Sequence, residues 1–140
     1  MAKTAAKKTV TTKADPKAAK AASKRKMAYA VLHIQSTYNN TKVVLADEKG
    51  NSVALSSSGA LGFRGAKKGT PFAAAKIGEV LADKAIAMGV KEVGVVIKGT
   101  GSGRESVVRS FITKGINIES IKDRTPVPFN GPKPKKPRRI

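Results

Sequence analysis

Two glycine-rich stretches hold the residues best suited to chemistry. The first, Gly99-Thr-Gly-Ser-Gly-Arg-Glu-Ser106, lies between a segment that reads as a strand and one that reads as a helix. Glycine lets a backbone come close to a phosphate, and the free N–H groups at a helix N-terminus attract anions. Arg104 adds a forked donor that matches phosphate oxygens. Gly99, Gly101, Gly103 and Arg104 are therefore candidates for holding a phosphate backbone, and the alternative is a purely structural turn. A nucleotide cofactor is not called for. The dinucleotide fingerprint needs glycine where Arg104 stands, and a P-loop needs a Gly-Lys-Ser/Thr ending that is absent here. Glu119 lies at a suggestive distance downstream, but it falls within the following strand.

The second stretch is Gly59-Ala-Leu-Gly-Phe-Arg-Gly-Ala-Lys-Lys-Gly-Thr70. Arg64, Lys67 and Lys68 alternate with glycines immediately before a helix start. Clustered cations on flexible backbone suit RNA, whose phosphates are clamped while an aromatic stacks on a base. Phe63 by itself reads as a packing residue rather than a stacking platform.

Catalytic groupings are weak. His33 falls inside a strand, where a satisfied, partly buried imidazole is expected. Asp47-Glu48 belongs to a hairpin turn, Glu79 and Asp83 form an ordinary i,i+4 pair on a helix, and Ser56-Ser57-Ser58 has no evident base beside it. No enzyme activity and no cofactor are expected. With no cysteine and one histidine, disulfides and the common tetrahedral zinc sites are excluded, so no metal is expected either.

These loops must be positioned by an α/β domain. Residues 28–36 alternate loosely as a strand, and Tyr38-Asn39-Asn40 reads as a turn. Residues 42–46 form a second strand, which a hairpin at Asp47–Asn51 joins to a third over 52–57. Thr70-Pro71 is a helix start, with Thr as N-cap and Pro at N1. Phe72, Ala75, Ile77, Val80, Leu81, Ile86 and Met88 follow at near-helical spacing, and Gly89 ends the helix. Residues 92–98 read as a buried strand, 104–114 as a second helix closed by Gly115, and 116–122 as a last strand. The order βββ-α-β-α-β predicts a mixed β-sheet with helices packed on it.

Charge divides the chain. The 140 residues carry a formal net charge of +19, from 28 Lys and Arg against 9 Asp and Glu, and this calls for a polyanionic partner. Residues 1–26 hold nine basic residues and one acid, and residues 131–140 hold five basic residues and none. Three parts follow: a basic Ala/Lys-rich tail over 1–26, an α/β RNA-binding domain over 27–124, and an extended Pro/Lys/Arg-rich tail over 125–140. Neither tail buries enough apolar surface to offset its ordering entropy, so both are expected to be disordered when free. The prolines of the second favour an extended path that threads between RNA helices. Solubilising arms are the plainer reading, and a DNA-compacting protein is the competing function suggested by the Ala/Lys tail. No apolar run reaches the length of about 20 residues needed to cross a bilayer. The N-terminal stretch has no apolar signal region, and it is dominated by Lys where organelle transit peptides are typically Arg-rich.

Three ordered blocks carry a family resemblance: residues 62–74 (Gly-Phe-Arg-Gly-Ala-Lys-Lys-Gly-Thr-Pro-Phe-Ala-Ala), residues 98–106 (Lys-Gly-Thr-Gly-Ser-Gly-Arg-Glu-Ser) and residues 123–131 (Asp-Arg-Thr-Pro-Val-Pro-Phe-Asn-Gly). Over about residues 27–140 the chain resembles the S-eleven family of small-subunit ribosomal proteins, bacterial in type. The resemblance implies a ribonuclease-H-like topology without catalytic carboxylates and a place on the platform of the small subunit, bound to its rRNA. It also implies a share in the cleft through which mRNA leaves (the Shine-Dalgarno region), beside proteins of the S-seven, S-eighteen and S-twenty-one families. A cytoplasmic ribosome is expected rather than an organellar one. By motif match the rRNA contacts are Arg64, Lys67, Lys68, Gly99, Gly101, Gly103, Arg104, Asn130, Lys133, Lys135, Lys136, Arg138 and Arg139. The family's usual bacterial His-Asn-Gly-Cys-Arg-Pro is here Phe129-Asn130-Gly131-Pro132-Lys133-Pro134, so no role of that His or Cys is carried over. The Asn130-Gly131 pair remains a candidate for isoaspartate formation.

Overall fold

A computed structural model of the protein describes residues 26–139. The tail expected over 1–26 thus lies, but for Lys26, outside the described residues, as does Ile140. Among the described residues the chain forms β1 (Tyr29–Ser36), β2 (Thr41–Ala46), β3 (Ser52–Ser57), a 3-10 segment (Gly65–Gly69), α1 (Pro71–Ala87), β4 (Glu92–Lys98), α2 (Arg104–Thr113) and β5 (Asn117–Asp123). The expected order holds, with boundaries that differ by a residue or so.

The strands form one five-stranded mixed sheet, ordered β3-β2-β1-β4-β5. β1, β2 and β3 make an antiparallel meander, whereas β4 pairs parallel to β1 and β5 parallel to β4. The β2–β3 hairpin closes because Gly50 adopts a φ of +87°, and the Asp47 carboxylate accepts from Asn51 N (2.9 Å) and Asn51 Nδ2 (3.1 Å).

Both helices cover the same face. Ala30, Leu32 and Ile34 of β1, Val43 and Leu45 of β2, and Val93 and Val95 of β4 are buried beneath Ile77, Leu81, Val107 and Phe111. His33 belongs to the opposite set of β1 side chains and is exposed. The sequence alone predicts a partly buried imidazole there. A strand side chain is enclosed only if something packs on its own face of the sheet, and the helices leave that face open.

Local chemistry ends both helices in the same way. After α1, Gly89 (φ +81°) donates to Ile86 O at 2.9 Å and Val90 donates to Ala85 O at 3.0 Å. After α2, Gly115 (φ +83°) donates to Ile112 O at 2.9 Å and Ile116 donates to Phe111 O at 3.2 Å. Each is a Schellman motif, with glycine in the left-handed conformation and a buried Val90 or Ile116 just beyond it.

Small residues line the face that α1 buries: Ala73, Ala74, Gly78, Ala82 and Ala85 accompany Ile77 and Leu81. They let α2 come close. A Cβ at Gly78 would stand 2.7 Å from Ser110 Cβ and 3.1 Å from Val107 O. Gly78→Ala should therefore destabilise the protein even though alanine is the better helix former by about 1 kcal/mol. Overpacking costs about 1–3 kcal/mol, and here part of the clash is with backbone that has little room to yield. A urea midpoint equal to or above that of the wild type would contradict this.

Candidate nucleic-acid interface

The two glycine stretches, far apart in sequence, meet at one end of the sheet around the turn between β1 and β2. That turn, Thr37–Asn40, is internally braced. Thr37 N donates to Asn40 O at 2.8 Å, Thr37 Oγ1 donates to the same carbonyl at 3.0 Å, and Asn40 N returns a bond to Thr37 Oγ1 at 3.1 Å. Ser58, just before the Gly59–Thr70 stretch, donates its hydroxyl to Asn40 Oδ1, and its N–H to Thr41 O at 3.1 Å.

Glycines flank the turn. A Cβ at Gly69 would lie 2.1 Å from Tyr38 O, one at Gly99 2.0 Å from Ser36 O, and one at Gly101 2.4 Å from Thr37 O. A Cβ at Gly103 would stand 2.7 Å from Ala74 Cβ. Gly101 N donates to Ser36 O at 3.1 Å, and Ser102 Oγ donates to Gly69 O at 2.9 Å, joining one stretch to the other. The close backbone approach that these glycines permit is thus made to neighbouring protein. The residues between them, Thr100 and Ser102, are the ones that face outward.

Cations ring this end. The Arg64–Thr70 stretch, read from sequence as a flexible loop, winds into the 3-10 segment; Thr70 donates to Lys67 O from its N (3.3 Å) and its Oγ1 (2.7 Å). Thr70 also caps α1, its hydroxyl accepting from Ala73 N at 3.4 Å. Arg64 and Lys67 are exposed and Lys68 is half-buried, and among the described residues none of the three takes part in an ion pair. Residues 37–40, 58–70 and 99–103 contain no Asp or Glu. The N-termini of α1 and α2 open at this same end, so their dipoles add to the positive potential. Phe63 is half-buried, edge-on to Phe72 at 6.1 Å, in keeping with a packing role.

Arg104 is differently placed. Its guanidinium pairs with Asp123 at the end of β5 and is only partly exposed. Asp123 also accepts from Thr125 Oγ1 (2.6 Å) and Thr125 N (2.9 Å), and Gly99 N donates to Thr125 Oγ1 at 3.2 Å. Arg124 N donates to Ile97 O at 2.9 Å. This knot roots the C-terminal tail beside the Gly99–Ser106 stretch. A phosphate reaching Arg104 meets a donor already partly engaged. Beyond the root the tail has no regular secondary structure, and Asn130, Lys133, Lys135, Lys136, Arg138 and Arg139 are all exposed along it. Asn130 adopts a φ of +52°, the one positive φ outside glycine among the described residues.

Sequence reading missed Tyr38. The residue is 79% exposed in the turn, whereas the reading stopped at the turn itself. The available signal was an aromatic between polar turn residues, with no apolar partner nearby to explain it. Among the described residues, no group of His, Cys, Asp and Glu side chains gathers to hold a metal ion, and no helix is long and apolar enough to cross a membrane.

The hydrogen bonds from the Thr125 side chain and backbone, with Arg104 beside them, hold the Asp123 carboxyl below its ordinary value. A carboxylate with a depressed pKa in the fold contributes stability above the ordinary carboxylate range, and this is lost as pH falls through the folded pKa. Thr125→Val removes the largest cause, so a carboxyl-detected NMR titration should show the Asp123 pKa rising toward its ordinary value. An unchanged titration midpoint would mean that the backbone N–H of residue 125 and Arg104 suffice to set it.

A family model described as "Ribosomal protein S11" matches residues 30–139. The chain is 50% identical over 117 residues to a protein of Solibacter usitatus named "Small ribosomal subunit protein uS11", covering 84% of this chain and 87% of that one. It is 48% identical over 112 residues to the protein of the same name from Thermotoga maritima, covering 80% of this chain and 86% of that one. With matches of this extent spanning both glycine stretches and the rooted tail, the chain belongs to the ribosomal protein S11 family.

Proposed function

We propose that this chain, a structural and non-catalytic protein of the small ribosomal subunit, binds small-subunit rRNA through the end of the sheet where its loops converge. The observation that carries this reading is the meeting of two glycine stretches from distant parts of the sequence at one end of the sheet, where residues 37–40, 58–70 and 99–103 hold no Asp or Glu and Arg64, Lys67 and Lys68 take part in no ion pair among the described residues. Phosphate contacts orient a protein on RNA without reading its sequence, and a rigid cluster of cations suits that task. Gly99, Gly101 and Gly103 act in this scheme by shaping the loop, and Arg104 by contributing the donors that Asp123 leaves free. Residues 27–124 are the RNA-binding domain and 1–26 and 125–140 its two basic arms. Lys133, Lys135, Lys136, Arg138 and Arg139 follow the RNA away from the domain, from a root fixed at Thr125.

The finer placement rests on the family. The protein takes its position on the platform of a bacterial cytoplasmic ribosome, beside members of the S-seven, S-eighteen and S-twenty-one families, and helps form the mRNA exit cleft around the Shine-Dalgarno region. No cofactor takes part.

Each phosphate contact made lowers log K by about 0.7–0.9 per tenfold rise in salt. Full-length protein should accordingly bind structured small-subunit rRNA with a steep salt dependence. Replacing Arg64, Lys67 and Lys68 together by alanine should reduce the slope by about 2–3. A shallow slope for the wild type, or equal affinity for duplex DNA of the same length, would defeat the reading.

Asn130 is proposed as a site of backbone rearrangement. The Gly131 nitrogen attacks Asn130 Cγ, ammonia leaves, and water reopens the succinimide to aspartate or isoaspartate. Glycine at 131 imposes no side-chain hindrance, and the pair lies exposed in the tail. Peptide mapping of protein from native ribosomes should find isoaspartate at position 130, and an intact asparagine throughout would refute it.

A further inference from the structure

The converging loops expose an aromatic ring as well as charge. We propose that Tyr38 is a stacking platform for one unpaired nucleobase, with the adjoining phosphates held by Arg64, Lys67 and Lys68; this rests on the rRNA-binding reading and adds a base contact to it. At 79% exposure the ring contributes little burial to the fold. Among the described residues it packs on no other aromatic and lies under no cation, whereas Phe63 and Phe72 engage each other and Lys76 Nζ lies 5.7 Å from the Phe72 centroid.

The backbone beneath Tyr38 is nonetheless held on several sides. The Thr37–Asn40 hydrogen bonds brace it from within. Gly69 lies against its carbonyl on one side, and Gly101 against that of Thr37 on the other. A ring presented on rigid backbone loses little entropy when a base settles on it.

Charge favours RNA over a protein partner as the occupant. The segment Gly65–Gly69, which carries Lys67 and Lys68, meets the Tyr38 backbone at Gly69, and residues 37–40, 58–70 and 99–103 hold no acidic residue. Every base presents a π-face, so stacking needs no particular sequence, and cations flanking the ring supply the backbone attraction that stacking alone lacks.

The test uses the full-length chain and structured small-subunit rRNA. Tyr38→Ala and Tyr38→Leu should each weaken binding about 10-fold at fixed salt while leaving the salt slope unchanged, and Tyr38→Phe should bind nearly as well as the wild type. Chemical probing should find one unpaired base protected by the wild type and reactive in the Tyr38→Ala complex. Circular dichroism serves as the control for folding, which an exposed side chain should not affect. Wild-type affinity in Tyr38→Leu would mean that apolar contact suffices, and would overturn stacking. Unchanged RNA affinity in Tyr38→Ala, with loss of a neighbouring ribosomal protein on assembly, would overturn it in favour of a protein contact. The triple Arg64, Lys67 and Lys68 variant keeps the two readings apart: an unchanged slope there defeats the electrostatic interface, whereas a reduced slope with a silent Tyr38→Ala defeats only the platform.

Discussion

Much of the molecule depends on one steric constraint, the seating of the β1–β2 turn between two backbones that come too close to admit a Cβ. Gly69, Gly99 and Gly101 meet the carbonyls of Tyr38, Ser36 and Thr37. Since those carbonyls stand at the end of β1, the central strand, the turn locks the loop preceding α1 and the loop preceding α2 to the middle of the sheet. The helix N-termini, the cations of the 3-10 segment and the root of the C-terminal tail all inherit their positions from this seat. An alanine at any of the three would press against backbone, which has no rotamer with which to move aside.

The parts of the fold that could be read in the sequence are those determined within a few residues. Thr70-Pro71 starts a helix because a hydroxyl cap and a proline lacking an N–H both suit the first turn. Gly89 and Gly115 end helices because a left-handed residue is needed there. The Asp47–Asn51 turn closes through its own side chains. None of these depends on the rest of the molecule, so the element order was legible before any tertiary contact was known.

What the sequence hid is relational. His33 occupies a strand position whose burial depends on which face the helices cover. α1 buries an alanine and glycine stripe, while Phe72 and Ile86, which help mark its period, stay largely exposed; the deciding factor is how near α2 approaches. The glycines around 99–103 have the composition of a phosphate cradle, yet their freedom goes to contacts with Ser36 and Thr37. Arg104 looked like a free donor until Asp123, nineteen positions away, was placed beside it. The site was visible as two basic, glycine-rich segments. Their meeting, and the tyrosine between them, were not.

The Asp123–Thr125 knot also bears on the order in which the chain becomes functional. β5 pairs only with β4, and α2 lies between those strands in sequence, so the edge of the sheet is completed last along the chain. The ties from Thr125 to Gly99 and from Arg124 to Ile97 require that edge to be in place. A chain with an unfinished sheet would carry the same C-terminal charges on a segment with no fixed point of departure. The basic arm therefore leaves the domain from a fixed point only once the sheet edge is complete.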